Sequence, residues 1–281
     1  MQLDILLIML GAALLHASWN TIIKSGSNPL FEATLNTLGG GAAVICVLPF
    51  LPLPAPQSVP YLALSCLFHL AYYILLGLSY RNVDMSIAYT IMRGTAPLLT
   101  ALALALALGV PLSAGGWLGV VLLSTGILVL SADALRQGSL AWRGCCMALA
   151  NALVIMCYTL ADGYGGRASL NPVSYACWLF FINAFPMPLA VCWRYRSEFT
   201  AYMRRRWSFG LLGGLCSLVS YGIAIWAMTK APIAMVAALR ESSVVFGMLL
   251  AVFFLGERAT LFRVLAVLLV ATGVMSLRVL A

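Results

Sequence analysis

Long apolar runs, separated by short polar breaks, occupy nearly the whole chain. Ten runs can be distinguished, at about residues 3–23, 30–50, 60–80, 85–108, 113–131, 142–161, 172–193, 208–228, 233–255 and 259–279. A helix rises 1.5 Å per residue, so each run can cross the roughly 30 Å hydrocarbon core of a bilayer. The runs are continuous and lack the alternation of barrel strands. The pattern therefore predicts an all-α integral membrane protein with ten transmembrane helices.

Composition agrees with this pattern and excludes a soluble globular protein. Hydrophobic residues make up 63% of the 281 residues and charged residues only 9%, far from the averages of soluble domains. We expect the first run to be retained rather than cleaved as a signal peptide, because no basic segment precedes it. The eight cysteines are scattered within apolar runs without C-x-x-C spacing. They predict free thiols, with neither disulfides nor a metal site.

The charged residues concentrate at the ends of the runs and in the short loops. The net charge of +8 therefore indicates orientation in a membrane and not binding to nucleic acid. The loops after odd-numbered runs hold most of the basic residues, namely Lys24, Arg81, Arg136, Arg143, Arg194, Arg196 and 204–206, with the densest cluster at 193–207. Cytoplasmic loops are enriched in Lys and Arg, so we predict cytoplasmic odd loops and external termini, in the cytoplasmic (inner) membrane.

The two halves of the sequence resemble each other. An offset of 147 residues aligns Arg93 with Arg240, Gly109 with Gly256, Thr125 with Thr272 and Gly126 with Gly273. The tripeptides "SNP" at 27–29 and "LNP" at 170–172 each precede a run. We predict two five-helix repeats, at residues 1–135 and 136–281. Because five is odd, the second repeat enters from the opposite face, and inverted repeats are typical of carriers that work by alternating access.

Two arginines lie inside the apolar runs, at equivalent places in the two repeats. Arg93 and Arg240 are each about 5 Å from the bilayer centre, displaced toward opposite faces. An arginine at this depth costs roughly 2.5 to 3.5 kcal/mol to insert unless it faces a cavity or a partner, so both are candidates for binding a substrate. The competing interpretation is structural. Arg240 would then pair with an acid from another helix, while Arg93 extends to the lipid headgroups.

Glu241 follows Arg240 directly but points about 100° away from it on a helix. We expect it to reach another neighbour, or to act as the group that couples transport to protons. The other candidates for orienting a substrate are His16, Trp19, Asn20, His69, Tyr72, Tyr89 and Tyr158, the last on one face with Asn151 and Asp162. Their alternatives are interhelical hydrogen bonds for the histidines and an interfacial belt for the aromatic residues.

The balance of charge inside the runs favours a particular class of substrate. Arg93 and Arg240 are cations there, Glu241 is the one clear anion, and two histidines complete the set. Guanidinium groups bind carboxylate, phosphate and phosphonate oxygens in bidentate fashion. We therefore predict a small anionic or zwitterionic substrate.

Over essentially its whole length, the sequence resembles the EamA-type branch of the drug/metabolite transporter superfamily. The resemblance is carried by residues 80–109, by their counterpart 227–257 with its ending Leu255, Gly256 and Glu257, and by the final "VLLVATGVMSL". In the first repeat, "LGV" replaces L-G-E. The resemblance implies ten helices in two inverted repeats and secondary transport of amino acids or other metabolites. The string "HASWNTIIK" at 16–24 is similar to a subset associated with phosphonate utilisation.

The leading hypothesis is a secondary transporter for an amino acid, an organophosphate or an aminophosphonate, working as a monomer or homodimer. Its partners would be the substrate, membrane lipids and protons, without a cofactor. The sequence has no G-x-x-x-x-G-K-[ST] loop, so an ion gradient must supply the energy. One alternative is a polytopic enzyme acting on a lipid-linked phosphate headgroup, for which no H-E-x-x-H motif or set of paired loop carboxylates is found. The other is a non-transporting assembly subunit, which needs no buried charge.

Overall fold

A computed structural model of the chain describes residues 2–80, 85–137, 142–255 and 260–280. Over these residues the secondary structure is helical, without a strand. The α-helices are α1 (Leu3–Lys24), α2 (Pro29–Ile45), α3 (Val59–Tyr80), α4 (Met85–Leu102), α5 (Ala114–Gln137), α6 (Trp142–Ala168), α7 (Pro172–Asn183), α8 (Pro186–Lys230), α9 (Ile233–Glu241), α10 (Ser243–Leu255) and α11 (Leu261–Val279). Arg81, Gly256 and Glu257, which the sequence analysis singled out, lie outside the described residues.

Seven helical stretches of the described chain are long and apolar enough to cross a membrane, and Ala114–Leu130 is a shorter apolar helix. The protein is therefore a multi-pass membrane protein. The predicted count of ten is not reached in this way, for three reasons. The stretch Pro172–Lys230 counts once although it contains two predicted runs, the run 113–131 corresponds to the shorter helix Ala114–Leu130, and the run 233–255 is divided between α9 and α10. Ten crossings stay a prediction.

The longest helix differs from the sequence prediction. α8 has 45 residues but joins two helical segments at a kink, and the segment after the kink, with about 35 residues and thus about 52 Å at 1.5 Å per residue, is longer than the hydrocarbon thickness. Residues 193–207, predicted as a loop between two runs, are helical, with a kink at Tyr195, where φ is −133° and ψ 35°. They contain no Gly or Pro to end a helix. Arg206 of this segment forms an ion pair with the buried carboxylate of Glu32 on α2.

The asparagines of the two "NP" tripeptides begin equivalent helices. Asn28 is the N-cap of α2, and its side chain accepts hydrogen bonds from the amides of Leu30 and Phe31. Asn171 is the N-cap of α7, and its side chain accepts one from the amide of Ser174. In both cases proline follows at the first helical position, where its missing N–H costs nothing. The same local chemistry thus starts one helix in each half.

The packing of α5 against α11 has the same 147-residue offset as the sequence. A Cβ built on Gly126 would lie 3.0 Å from the carbonyl oxygen of Ala266. A Cβ built on Gly273 would lie 3.0 Å from the carbonyl oxygen of Gly119. The offset exchanges these two contacts, since it relates 126 to 273 and 119 to 266. Small residues therefore bring the two backbones close together at equivalent places, as in other membrane helix pairs. We call this contact the glycine seam.

Two other helix pairs are related by the same exchange. α1 packs on α8 as α3 packs on α6, and α4 packs on α9 at the centre. Every residue of α9 is buried, and it lies in one core cluster with side chains of α1, α4, α5, α6, α7, α8 and α11. The architecture is thus that of two repeats. The predicted boundary between residues 135 and 136 stays a prediction. The arginine-bearing helices occupy the middle of the molecule.

Candidate functional site

The two predicted arginines converge on a single carboxylate. Nε of Arg93 on α4 lies 2.6 Å from Oε2 of Glu241 on α9, and the two side chains are 7% and 1% exposed. At these two atoms the contact is an ion pair without hydrogen-bond alignment. Nη2 of Arg240 lies 3.5 Å from the other oxygen, Oε1. Arg93 therefore does not extend to the lipid headgroups, but it pairs with an acid from another helix, which the structural interpretation expected of Arg240. Glu241 does reach a neighbour on another helix, as its direction on α9 predicts.

Arg93 has a second partner on α1. Its Nη2 lies 2.7 Å from Nε2 of His16. Because a guanidinium group only donates, Nε2 of His16 is the acceptor and carries no proton. The His16 ring meets Trp19 edge to face, at 4.8 Å between centroids. The candidate His16 of α1 thus reaches the arginine of α4.

Asn20, the third candidate on α1, has a local partner. Its Nδ2 donates to the carbonyl oxygen of His16, one turn earlier, at 2.8 Å. It therefore stands beside the cluster without contacting either arginine in the described residues. Tyr89 lies closer, with its ring 5.7 Å from Cζ of Arg93. Cations at this distance are attracted to an aromatic face.

Aromatic side chains also lie next to Arg240. Its Cζ lies 5.3 Å from the centroid of Tyr221 on α8 and 5.9 Å from that of Tyr158 on α6. Tyr158 stacks on His69 of α3 at 4.3 Å, and Tyr72 meets Tyr158 edge to face at 6.1 Å. The two candidates on α3 are thus connected to Arg240 through Tyr158.

The helices that carry the arginines are irregular beside them. Pro97 lies inside α4, one turn after Arg93. Proline has no N–H, so the carbonyl oxygen of Arg93 loses its helical partner. α9 ends at Glu241, and Ser242 separates it from α10 with its N–H bonded to the carbonyl of Leu239 at 3.1 Å. Interrupted helices at membrane depth are typical of the binding sites of transporters, where the freed backbone groups face a ligand or a cavity.

Three buried N–H donors of this region have no hydrogen-bond acceptor among the described residues. They are Nε1 of Trp19, Nε of Arg240 and Nε of Arg93, the last of which has its ion pair with Glu241. Buried polar groups in native proteins are nearly always paired. An oxygen-rich ligand lying between α1 and α9 would supply the missing acceptors.

Sequence reasoning placed Asp162 only on one face with Tyr158 and did not count it among the acids of the interior. Asp162 is 0% exposed and accepts hydrogen bonds from the hydroxyls of Tyr175 at 3.1 Å and Tyr221 at 2.5 Å. The predicted run ended at 161, whereas α6 continues to Ala168, so the carboxyl belongs to the interior. Glu241 is therefore not the one anion of the membrane interior. Asn151, predicted on the same face, donates to Sδ of Met92.

The arrangement is suited to holding an anion. Arg93, Arg240 and an ionised Glu241 together carry one net positive charge. A further oxyanion would find two guanidinium groups already positioned by ion pairing and by aromatic contacts. Within the described parts of the chain, no group of three or more His, Cys, Asp and Glu side chains is arranged to hold a metal ion.

Comparisons with known proteins agree with this architecture. The model of the EamA-like transporter family matches residues 4–132 and again residues 142–279. A solved structure described as "Crystal structure of protein" aligns with a TM-score of 0.78 at 19% identity, over 100% of this chain and 99% of the other. At that identity the likeness shows the fold alone. Among curated proteins, none matches the chain. The resemblance seen in the sequence is thus confirmed, and the chain belongs to the EamA-like transporter family.

Proposed function

We propose that the protein is a secondary transporter that carries a small anionic or zwitterionic metabolite across the cytoplasmic membrane. The observation that carries this proposal is the convergence of Arg93 and Arg240, one from each repeat, on the carboxylate of Glu241. A carboxylate already bridges the two cations. The carboxylate, phosphate or phosphonate of a substrate presents the same oxygens and would take the place of Glu241 on one or both guanidinium groups.

The other candidate residues have distinct roles in this proposal. His16 and Trp19 would contact the substrate from α1, with Asn20 holding the turn of α1 beside them. Tyr89, Tyr158, Tyr72 and His69 would form the aromatic walls next to the arginines. Within the family, the amino acid-like, organophosphate and aminophosphonate classes are the substrates that this chemistry favours.

Alternating access follows from the relation between the repeats. The glycine seam and the contacts of α1 with α8 and α3 with α6 exchange under the 147-residue offset. If the repeats are inverted, as we propose, exchanging their conformations opens the same central site to the other side of the membrane. The described site is closed, because Arg93 is 6% and Arg240 2% exposed. It therefore represents a state between the two openings.

The proposal is tested by binding and uptake with the same purified protein. L-Glutamate, glycerol phosphate and aminoethylphosphonate are added in turn, and the melting temperature is measured. A ligand at about one hundred times its Kd stabilises the folded state by about 2.7 kcal/mol. The compound that stabilises most is then radiolabelled for uptake into proteoliposomes. We expect uptake by the wild type and none above background by Arg240→Ala.

The matched control is Arg205→Ala, which removes an exposed arginine of α8. It should transport normally. Stabilisation by none of the three compounds, or normal uptake by Arg240→Ala, would contradict an anionic substrate bound by the arginines. Turnover of a lipid-linked phosphate by the detergent-solubilised protein would favour the enzymatic alternative.

A further inference from the structure

A buried acid that the proposed site does not use lies on the far side of Tyr221. The carboxyl of Asp162 receives two phenolic hydroxyls, from Tyr175 on α7 and Tyr221 on α8. Both donors are neutral. Among the described residues, every ion pair within 4.0 Å involves Glu32 or Glu241, and none involves Asp162. A carboxylate taken out of water without a cation is costly, and the protein can relieve that cost by binding a proton.

Among the described residues no Lys or Arg forms an ion pair with Asp162, and Ser65 of α3 is a further hydroxyl beside it. Cys66 and His69 approach from α3, Tyr175 from α7 and Tyr221 from α8. His69 is held by its Nδ1, which lies 2.9 Å from the carbonyl oxygen of Ser65. Because that carbonyl only accepts, Nδ1 carries the proton and the neutral ring suffices for the contact. The nearest cation on α9, Arg240, lies behind the Tyr221 ring, and Arg93 of α4 is paired with Glu241.

Glu241 is in the opposite situation. Two guanidinium groups lie 2.6 and 3.5 Å from its oxygens. Its negative charge is compensated, so a proton bound there would leave two buried cations without a partner. Asp162 therefore lacks the cation partners that Glu241 has.

From this contrast, and resting on the proposed function, we propose that Asp162 binds the proton that is transported together with the anionic substrate, and that Tyr221 connects it to Arg240. Tyr221 donates to Oδ2 of Asp162, and its ring lies 5.3 Å from Cζ of Arg240. The carboxylate takes a proton from water on the side where the site opens. The protonated carboxyl group then donates a hydrogen bond to a phenolic oxygen. When the site opens to the other side, the carboxyl group releases its proton to water there.

The sign of the coupling follows from the charges. With Asp162 ionised, Arg93, Arg240, Glu241 and Asp162 sum to zero. With Asp162 protonated, the sum is one positive charge, which attracts an anion. Proton and anion therefore favour each other's binding. By linkage, the affinity for the anion falls as pH rises through the titration of Asp162, by at most about tenfold per pH unit.

Infrared spectroscopy of the purified protein tests the acid without a substrate. We expect a carbonyl band of a protonated carboxyl group that disappears as pH is raised. The band should be absent in Asp162→Asn and retained in Glu241→Gln. If the band survives in Asp162→Asn, or if the folded wild type shows none at its lowest stable pH, the proposal is overturned. Tyr221→Phe, which keeps the ring against Arg240, should shift the band because one hydrogen bond is lost, and an unshifted band contradicts the assigned link.

A binding series tests the coupling. The affinity for glycerol phosphate, aminoethylphosphonate or L-glutamate is measured at several pH values in the wild type and in Asp162→Asn. The wild type should lose affinity with rising pH, while the variant, whose amide stands for the protonated acid, should bind equally at all of them. Equal pH dependence in both overturns the coupling. If none of these compounds binds but the infrared band is that of Asp162, the anionic substrate is wrong and the titrating acid stands.

Discussion

The contacts of the glycine seam are equivalent in the two repeats, whereas those of the charge cluster, formed by Arg93, Arg240 and Glu241, are not. In the seam, the contacts of Gly126 with Ala266 and of Gly273 with Gly119 are equivalent under the 147-residue offset. In the cluster, the offset relates Arg93 to Arg240 but relates Glu241 to Gly94. A Cβ on Gly94 would lie 2.8 Å from Cγ of Leu128, so the first repeat has no room for a side chain there. The scaffold is symmetric, and the charge chemistry is not.

This difference has a physical consequence. Two cations related by pseudo-symmetry would repel each other in a medium of low dielectric constant. One acid in only one repeat compensates part of that charge and leaves a single positive charge for a ligand. A second acid at residue 94 would cancel it. The asymmetry therefore sets the sign of the site, whereas the seam sets the relation between the repeats.

The largest expected effect comes from breaking the charge cluster. Arg93→Ala leaves Glu241 with only the longer contact to Arg240. Removing one partner of a buried ion pair typically costs about 3 to 5 kcal/mol. We expect a loss of this size in the free energy of unfolding, measured in mixed micelles, together with loss of uptake.

The double variant Arg93→Ala, Glu241→Gln sharpens this prediction. Because it removes the uncompensated charge as well, it should recover part of the stability lost by Arg93→Ala, but none of the uptake. Double-mutant cycles measure this coupling directly. A double variant no more stable than the single one would mean that the ion pair does not hold α4 to α9.

A smaller effect, equal in the two repeats, is expected in the seam. In Gly126→Ala the new methyl would lie 2.9 Å from Cγ2 of Val270, and in Gly273→Ala 2.9 Å from Cγ of Leu123. Overpacking of this kind costs about 1 to 3 kcal/mol. Both variants should lose the same amount of stability within that range.

Gly11→Ala is the control for the seam, because a Cβ there would meet no atom within 4 Å. Alanine is favoured over glycine in a helix interior by about 1 kcal/mol, so this variant should be at least as stable as the wild type. Unequal losses in Gly126→Ala and Gly273→Ala would show that the seam is less symmetric than its backbone contacts indicate.

Much of this comparison could be predicted from the sequence, because a membrane-spanning segment must be apolar and any charged residue within it stands out. Arg93 and Arg240 stand out since charge inside an apolar run is costly. Tyr221 gives no such signal, because a tyrosine in an apolar run is ordinary until Asp162 is placed beside it. Asp162 itself was assigned to a run end. The helical continuity of 193–207 was missed because a basic segment resembles a loop, although Arg, Glu and Met favour helices.

The smallest effects are expected at the two N-caps, where the repeats again use the same chemistry. Asn28 accepts from two backbone amides and Asn171 from one. Replacing an asparagine N-cap by alanine costs about 1 kcal/mol, because a donor at the helix start loses its acceptor. Asn28→Ala and Asn171→Ala should each lower the free energy of unfolding by about this amount, while serine at either position, which caps as well, should restore it. The partners of Asn28 and Asn171 are backbone amides of their own helices and not members of the charge cluster, so uptake should persist in both alanine variants. A cap whose loss abolished uptake without lowering stability would tie the helix starts to the transport cycle and not to the scaffold alone.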